Sequence, residues 1–225
     1  MRHLAALVLS LWAGAAAAQE FITVDGPLSD DDFYRLVSCA APPANPCQKP
    51  VVIWPGFSAL DLTIGITRVD PAFSDADIDA YEAALSHAIG QINAAGAAIR
   101  LRKSRLQPDI AVLLLDIEAG GEILGSGVPG LDGNRIDAAW VHLWWKGNHH
   151  IQRGAIVFSP QLQGIVRRST VMEEVFQSTG LLTDIENPWY TDRSIVSQDG
   201  FQRTTLGVQD IMALRRHYPP TVHKD

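Results

Sequence analysis

The chain has 225 residues, of which 47% are hydrophobic and 19% are charged. This length is enough for one domain with a proper core, and the balance is typical of a globular protein rather than a disordered one. A formal net charge of −7 without any basic run argues against a nucleic-acid partner.

The N-terminus has the three parts of a signal peptide. Arg2 and His3 form a short basic start, residues 4–12 are apolar, and residues 16–18 are three alanines before Gln19. We therefore predict that residues 1–18 are removed on export to the periplasm or the medium. Because no later apolar stretch is long enough to span a bilayer, we expect no transmembrane anchor in the mature chain.

A lead-in segment, residues 19–55, precedes the main domain, which we place at residues 56–225. Ser29 stands before three aspartates and predicts the start of a short helix. Cys39 and Cys47 bracket a proline-rich loop, and export makes a disulfide the expected state. Two free thiols or a transient metal pair are the alternatives, while the spacing does not fit a C-x-x-C redox motif.

The main domain begins with a regular pattern. Residues 60–69 alternate between apolar and polar and predict a half-buried strand. Ser74 and Asp77 have capping-box spacing at the start of a long helix that ends at Gly96. Four further strands are predicted, at residues 98–102, 110–116, 135–146 and 152–159. The order is thus strand, helix, four strands, and then a second helix.

That second helix, around residues 170–184, has an ordinary interpretation. Thr170 and Glu173 have capping-box spacing, with apolar side chains on one helical face. Glu173, Glu174 and Gln177 fall on the opposite face. A surface helix would have the same pattern.

The same stretch resembles the active-site helix of a metallopeptidase whose metal ligands have been exchanged. Zinc peptidases carry H-E-x-x-H, and metzincins extend it to H-E-x-x-H-x-x-G-x-x-H. In that frame Glu174 stands at the general base and Gly180 at the turn glycine. Glu173, Gln177 and Thr183 stand where the three histidines would be.

The downstream sequence extends the resemblance over residues 60–220. Ser194 and Ile195 correspond to the Met-turn of matrixins, with Val196 in place of the methionine. The chain also resembles a proteobacterial family of secreted proteins, the domain of unknown function numbered 2927. The positions that match that family are Glu174, Gln177, Gly180, Leu181, Asp184, Ser194 and Ile195.

The resemblance implies an α+β, zincin (metzincin-like) fold. We expect a mixed sheet of about five strands, a long packing helix, a central helix of the active-site type and a C-terminal helix. It also implies a cleft, formed by Glu173, Glu174, Gln177, Gly180, Asp184 and Ser194.

The residues in this frame favour loss of zinc chemistry. A catalytic zinc needs three good protein ligands and an open position for water. Glu173, Gln177 and Asp184 offer oxygens, which suit a hard cation better than zinc. We therefore expect no cofactor, with a divalent metal as the alternative. A metal site at His142, His149 and His150 is a weaker hypothesis, because adjacent histidines in a turn are usually solvated.

We predict a non-catalytic pseudo-metallopeptidase whose cleft binds a peptide or an envelope protein. One alternative is an active metal-dependent hydrolase with Glu174 as general base. Another is a carbohydrate-binding module on the tryptophan-rich strand, which carries Trp140, Trp144 and Trp145. Trp144 and Trp145 are adjacent, so their side chains should point to opposite faces of a sheet.

Overall fold

The computed structural model describes residues 15–17, 20–200 and 202–220. In chain order its elements are β1 (Ala15–Ala17), β2 (Glu20–Thr23), α1 (Asp30–Cys39), α2 (Gly56–Ala59), β3 (Leu62–Val69), α3 (Asp75–Ala94), β4 (Leu101–Lys103), β5 (Ile110–Leu114), β6 (Ala139–Trp145), β7 (Ile151–Phe158), α4 (Gly164–Gln177), β8 (Thr183–Glu186) and α5 (Val208–His217). The basic start and apolar run of the predicted signal peptide lie outside the described residues.

A mixed sheet with the strand order β1-β6-β7-β5-β3-β4 forms the centre of the fold. Strands β7, β5, β3 and β4 are mutually parallel, whereas β6 runs antiparallel to β7. Strand β1 pairs antiparallel with the outer edge of β6, although β1 belongs to the segment that we predict to be removed on export. The α+β class and the predicted order of elements are confirmed.

Helix α3 is the long packing helix. The Ser74 hydroxyl accepts the Asp77 backbone N–H, and the Asp77 carboxylate accepts the Ser74 N–H, so the predicted capping box is present. Tyr81, Leu85 and Ile92 are buried on the face of the helix that joins the main core.

Strand β3 differs from its predicted half-burial. Its first four residues are all buried, and only the second half alternates. Leu62 and Ile64 join the main core on one face, and the Ser104 backbone covers Gly65 on the other, where an added Cβ would lie 1.9 Å from the Ser104 carbonyl oxygen. Thr63 remains satisfied there because its N–H and hydroxyl both donate to Asp109.

The lead-in segment is built into the same core as the main domain. Ser29 caps α1 as predicted, and the Cys39–Cys47 disulfide is present. Phe33 and Leu36 of α1 are fully buried in the main core. Strand β2 pairs in parallel with β8, which brings the lead-in next to the end of α4.

Helix α4 contradicts the surface-helix interpretation. It begins at Gly164 rather than at Thr170, so Thr170 lies inside the helix and the predicted capping box there is wrong. Glu174 and Gln177 are 3% and 1% exposed. Their face is buried because it lies towards β8 and the start of β6: Gln177 donates to Asp184, and Glu174 shares a cavity with Asp184 and Ala139. Periodicity placed these polar side chains together, but only the tertiary contacts bury them.

In the described residues, no helix is both long enough and apolar enough to cross a membrane.

Candidate functional site

A cavity of about 190 Å³ lies where α4 meets the start of β6, strand β8 and the lead-in. Four carboxyl groups line it, together with an apolar set and two neutral polar residues. The lining residues are Asp137, Glu173, Glu174, Asp184, Phe21, Ala138, Ala139, Leu162, Val166, Thr170 and Gln198. Three of the acidic residues are predicted site residues.

A turn after α4 brings β8 back to the cavity. Gly180 has a φ of 105°, and a Cβ at this position would lie 2.3 Å from the Val52 carbonyl oxygen. Only glycine fits both the backbone conformation and the close approach. The chain then enters β8, where Asp184 pairs with Phe21 of β2. The role of Gly180 is therefore to shape the turn, and it does not line the cavity.

Glu174 and Asp184 are the most buried acids of the cavity, each 3% exposed, and they differ in their hydrogen bonds. The Oε2 atom of Glu174 is buried and has no hydrogen-bond partner among the described residues. Burial raises the pKa of this carboxyl well above its usual range, and the charge of Asp184 raises it further. Glu173 is half-buried, and its pKa is raised by burial, then by Asp184 and then by Glu174.

Asp184, unlike Glu174, has both a hydrogen-bond donor and a positive charge near its carboxyl group. The Gln177 side-chain amide donates to its Oδ1 atom at 2.7 Å. Burial raises the pKa of Asp184 to about 7, although the Gln177 hydrogen bond and the charge of Lys49 lower it. Gln177 thus acts at the cavity through Asp184, while its own Oε1 has no partner in the described residues. Such closely placed acids cannot all ionise at low cost without a cation.

Ser194 lies in a different buried cluster. Its hydroxyl donates to Asp210 Oδ1 at 2.5 Å, and the Ile195 N–H donates to Asp210 Oδ2 at 2.9 Å. The Gly207 N–H also donates to Oδ2. The segment that resembles a Met-turn is therefore fixed by Asp210 at the start of α5, and Ser194 does not line the cavity.

Within the described ranges, no group of three or more His, Cys, Asp and Glu side chains is arranged to hold a metal ion. Of the predicted metal candidates, Glu173 and Asp184 line the cavity, and Gln177 is bonded to Asp184. His149 is exposed, and His150 contacts the Asn148 side chain.

His142 is buried between the rings of Trp140 and Trp144, with centroid separations of 4.9 and 4.2 Å. Trp144 and Trp145 are half-buried and pack against different hydrophobic clusters, so they do point to opposite faces as predicted. Arg153 stacks over Trp144 at 4.1 Å. These contacts fill much of the tryptophan surface that a sugar would need.

Phe21, Asp137 and Lys49 were not found from the sequence as residues of this site. Asp137 lies in an irregular loop and Phe21 in the lead-in, and no motif joins either residue to α4. Lys49 follows the disulfide loop, and it lies near enough to Asp184 for its charge to act on that carboxyl group. Strand pairing of β2 with β8 brings Phe21 to the cavity, and Asp137 arrives there just before β6.

No protein-family model matches the chain, and no curated protein matches it. Membership of the zincins and of the family numbered 2927 therefore stays a proposal.

Proposed function

We propose that this chain is an exported, zincin-like peptide-binding module of the family numbered 2927 and that it has lost peptidase chemistry. The observation that carries this proposal is an edge strand that leads to an acidic cavity. Strand β6 begins at Ala139, which lines the cavity, and its outer edge pairs with an extended segment of chain, β1.

The pairing of β6 supports a peptide as the ligand. Ala15, Ala16 and Ala17 pair antiparallel with Trp144, Leu143 and His142. If residues 1–18 are removed on export, Trp144, Leu143 and His142 lose this neighbouring strand. An unpaired strand edge offers a row of backbone donors and acceptors, and peptides commonly bind by adding a strand to it. A peptide or an envelope protein with an extended segment would fit there.

The zincin-like part of the proposal rests on three agreements with the motif frame. The order of strands and helices agrees, Gly180 makes the turn after the central helix, and the Ser194–Ile195 segment is a fixed buried turn. The residues that stand at the three histidine positions of the motif are poor zinc ligands, which favours loss of catalysis. Gln177 offers a neutral amide that is bonded to Asp184, and a threonine stands at the third position.

The experiment is a binding screen with the exported, processed protein. Fluorescently labelled peptides with blocked ends are presented as an array, and the best binder is measured by anisotropy. We expect binding that is lost when the peptide backbone is N-methylated at alternate positions on the pairing edge, because methylation removes ladder donors. A matched peptide methylated on the opposite edge should retain affinity. Binding that ignores both methylations would rule out strand addition.

An active metal-dependent hydrolase is the second candidate function. The observation that favours it is Glu174, a buried carboxyl with a raised pKa at a cavity wall, which is a common setting for a general base. Metal analysis of chelator-free protein and a peptide-hydrolysis screen test it. Activity that disappears in Glu174→Ala but remains in the exposed control Glu118→Ala would establish hydrolysis.

A further inference from the structure

The acidic cavity has an excess of negative groups over positive ones. Within the described ranges, its lining residues include four carboxylic acids and neither lysine nor arginine. Lys49 acts on Asp184 from outside the lining set. The charges that act on Glu173 and Glu174 are those of other carboxyl groups, and they raise both pKa values. A further cation would relieve this repulsion.

Glu174 adds an observation that does not depend on the count of acids. It is 3% exposed, lines the cavity, and leaves Oε2 without a hydrogen-bond partner among the described residues. Buried polar atoms in folded proteins are nearly always bonded, so an unbonded carboxylate oxygen at a cavity wall indicates a donor that comes from elsewhere. A donor with positive charge satisfies the hydrogen bond and the electrostatics together.

The size and the rim of the cavity restrict the donor. A volume of about 190 Å³ is below the roughly 300 Å³ at which small-molecule pockets begin, and it suits a single side chain. Apolar residues, among them Phe21, Leu162 and Val166, share the wall with the acids. Phe21 and Val166 are also partly exposed, which places apolar surface towards the solvent.

Lysine fits this combination better than arginine. Its ammonium is a compact charge with three N–H donors on a flexible apolar stem, and the stem packs well on hydrophobic surface. The guanidinium of arginine is a rigid planar fork that prefers two parallel bonds to one carboxylate. Here the acids come from separate backbone positions on α4 and β8.

We propose that the cavity receives the ammonium group of a lysine side chain from the bound peptide, with Glu173, Glu174 and Asp184 as its acceptors. This assignment rests on the proposed peptide-binding function and specifies which peptides are recognised. The peptide would lie along the stretch of β6 that β1 pairs with, and its lysine side chain would extend from there into the cavity. The specificity would then come from one buried charge, while the strand pairing accepts many sequences.

The test compares three short alanine-based peptides that differ at one residue. The first has blocked ends and a central lysine, the second replaces lysine by norleucine, and the third is the norleucine peptide with a free N-terminal amine. We expect the lysine peptide to bind at least about tenfold more tightly than blocked norleucine. Glu174→Gln should remove that preference, and the exposed control Glu118→Gln should keep it.

Equal binding of the lysine and norleucine peptides would overturn the lysine assignment and leave the peptide-binding function standing. Preference for the free N-terminal amine over the lysine side chain would also overturn it, since the ammonium would then come from a chain end.

A second measurement is independent of strand pairing. n-Butylammonium chloride, which mimics the lysine side chain, should raise the melting temperature of the wild-type protein more than tetramethylammonium chloride, which has no N–H donor. Glu174→Gln should respond equally to both salts. If no peptide binds but this difference is found, the peptide-binding function fails and the ammonium site stands. If wild type shows no difference, the ammonium site is wrong.

Discussion

Asp210 at the start of α5 and Glu174 within α4 are both buried, yet the surroundings of their carboxyl groups differ. Asp210 is fully buried and accepts hydrogen bonds from the Ser194 hydroxyl and from the Ile195 and Gly207 N–H groups. Glu174 is almost as buried and leaves one oxygen unbonded. A satisfied buried acid stabilises a fold, whereas an unsatisfied one costs stability. The comparison separates an acid whose hydrogen bonds are complete within the fold from one that the proposed ligand would complete.

The largest expected effect is the loss of stability when the Asp210 carboxylate is removed. Asp210→Ala would leave the Ser194 hydroxyl and two backbone N–H groups buried without their acceptor. We expect a loss of about 3–5 kcal/mol in the free energy of unfolding. Urea denaturation followed by circular dichroism measures it. The exposed control Asp199→Ala should change stability by less than about 0.5 kcal/mol.

Two buried histidines should make the protein sensitive to acid. Burial lowers the pKa values of His142 and His217 to about 4, below the ordinary 6.5. The folded state therefore keeps them neutral while the unfolded state takes up protons below pH 6.5. Their contribution to stability is present above pH 6.5 and falls as the pH drops to 4, by at most about 3 kcal/mol for each histidine.

The two histidines, like the two acids, differ in whether their buried polar atoms have hydrogen-bond partners. His217 contacts Val52 and Tyr34 through its two ring nitrogens, whereas neither nitrogen of His142 has a partner among the described residues. His142→Phe should remove part of the pH dependence between pH 6.5 and 4 without a large loss of stability at pH 7.5. Chemical denaturation across this range measures both slopes. An unchanged slope would show that His142 titrates normally.

The disulfide lies in the part of the lead-in that carries Lys49, whose charge acts on Asp184. The Cys39–Cys47 bridge spans a separation of eight residues, and loop-closure entropy for such a span gives about 2–3 kcal/mol. We expect the double variant Cys39→Ser, Cys47→Ser to lose about that much stability. Because Lys49 lowers the pKa of Asp184, freeing the loop should also raise that pKa. Carboxyl titration by NMR would detect the change. An unchanged pKa of Asp184 would show that the disulfide is not needed to hold Lys49 near that residue.

The smallest expected effect is a gain in stability when the charge of Glu174 is removed. The pKa of Glu174 is raised in the folded state, so its favourable contribution exists below its unfolded pKa and is lost as pH rises through the folded value. Glu174→Gln keeps the shape and removes the charge. We expect stabilisation by about 1 kcal/mol at pH 8 and no gain at pH 4. Destabilisation at pH 8 would mean that the wild-type carboxylate is already compensated.

Local patterns were enough for much of the fold. The N-cap at Ser29, the capping box at Ser74 and the period of β3 and α3 were predicted because caps and amphipathic faces depend on residues close in sequence. Glu173, Glu174 and Asp184 of the motif frame all line one cavity, since a helix and its following turn are also local.

The errors arose where burial overrides local pattern. Thr170 and Glu173 have the spacing of a capping box, but the helix extends back to Gly164 because its sides are packed against α3 and β6. β3 alternates in sequence, yet both faces of its first half are buried, because the Ser104 backbone covers the face opposite the main core. Spacing reports which side chains share a face and says nothing about what covers that face.

The sequence by itself determined the long helix α3, the strands from β3 to β7, the cysteine pair and the acidic character of the central helix, because each depends on neighbours along the chain. Only the tertiary structure decided that the acids of α4 face a cavity, that Phe21, Asp137 and Lys49 join them, and that Ser194 does not. The physical reason is that desolvation and charge pairing depend on contacts between residues that are distant in the chain.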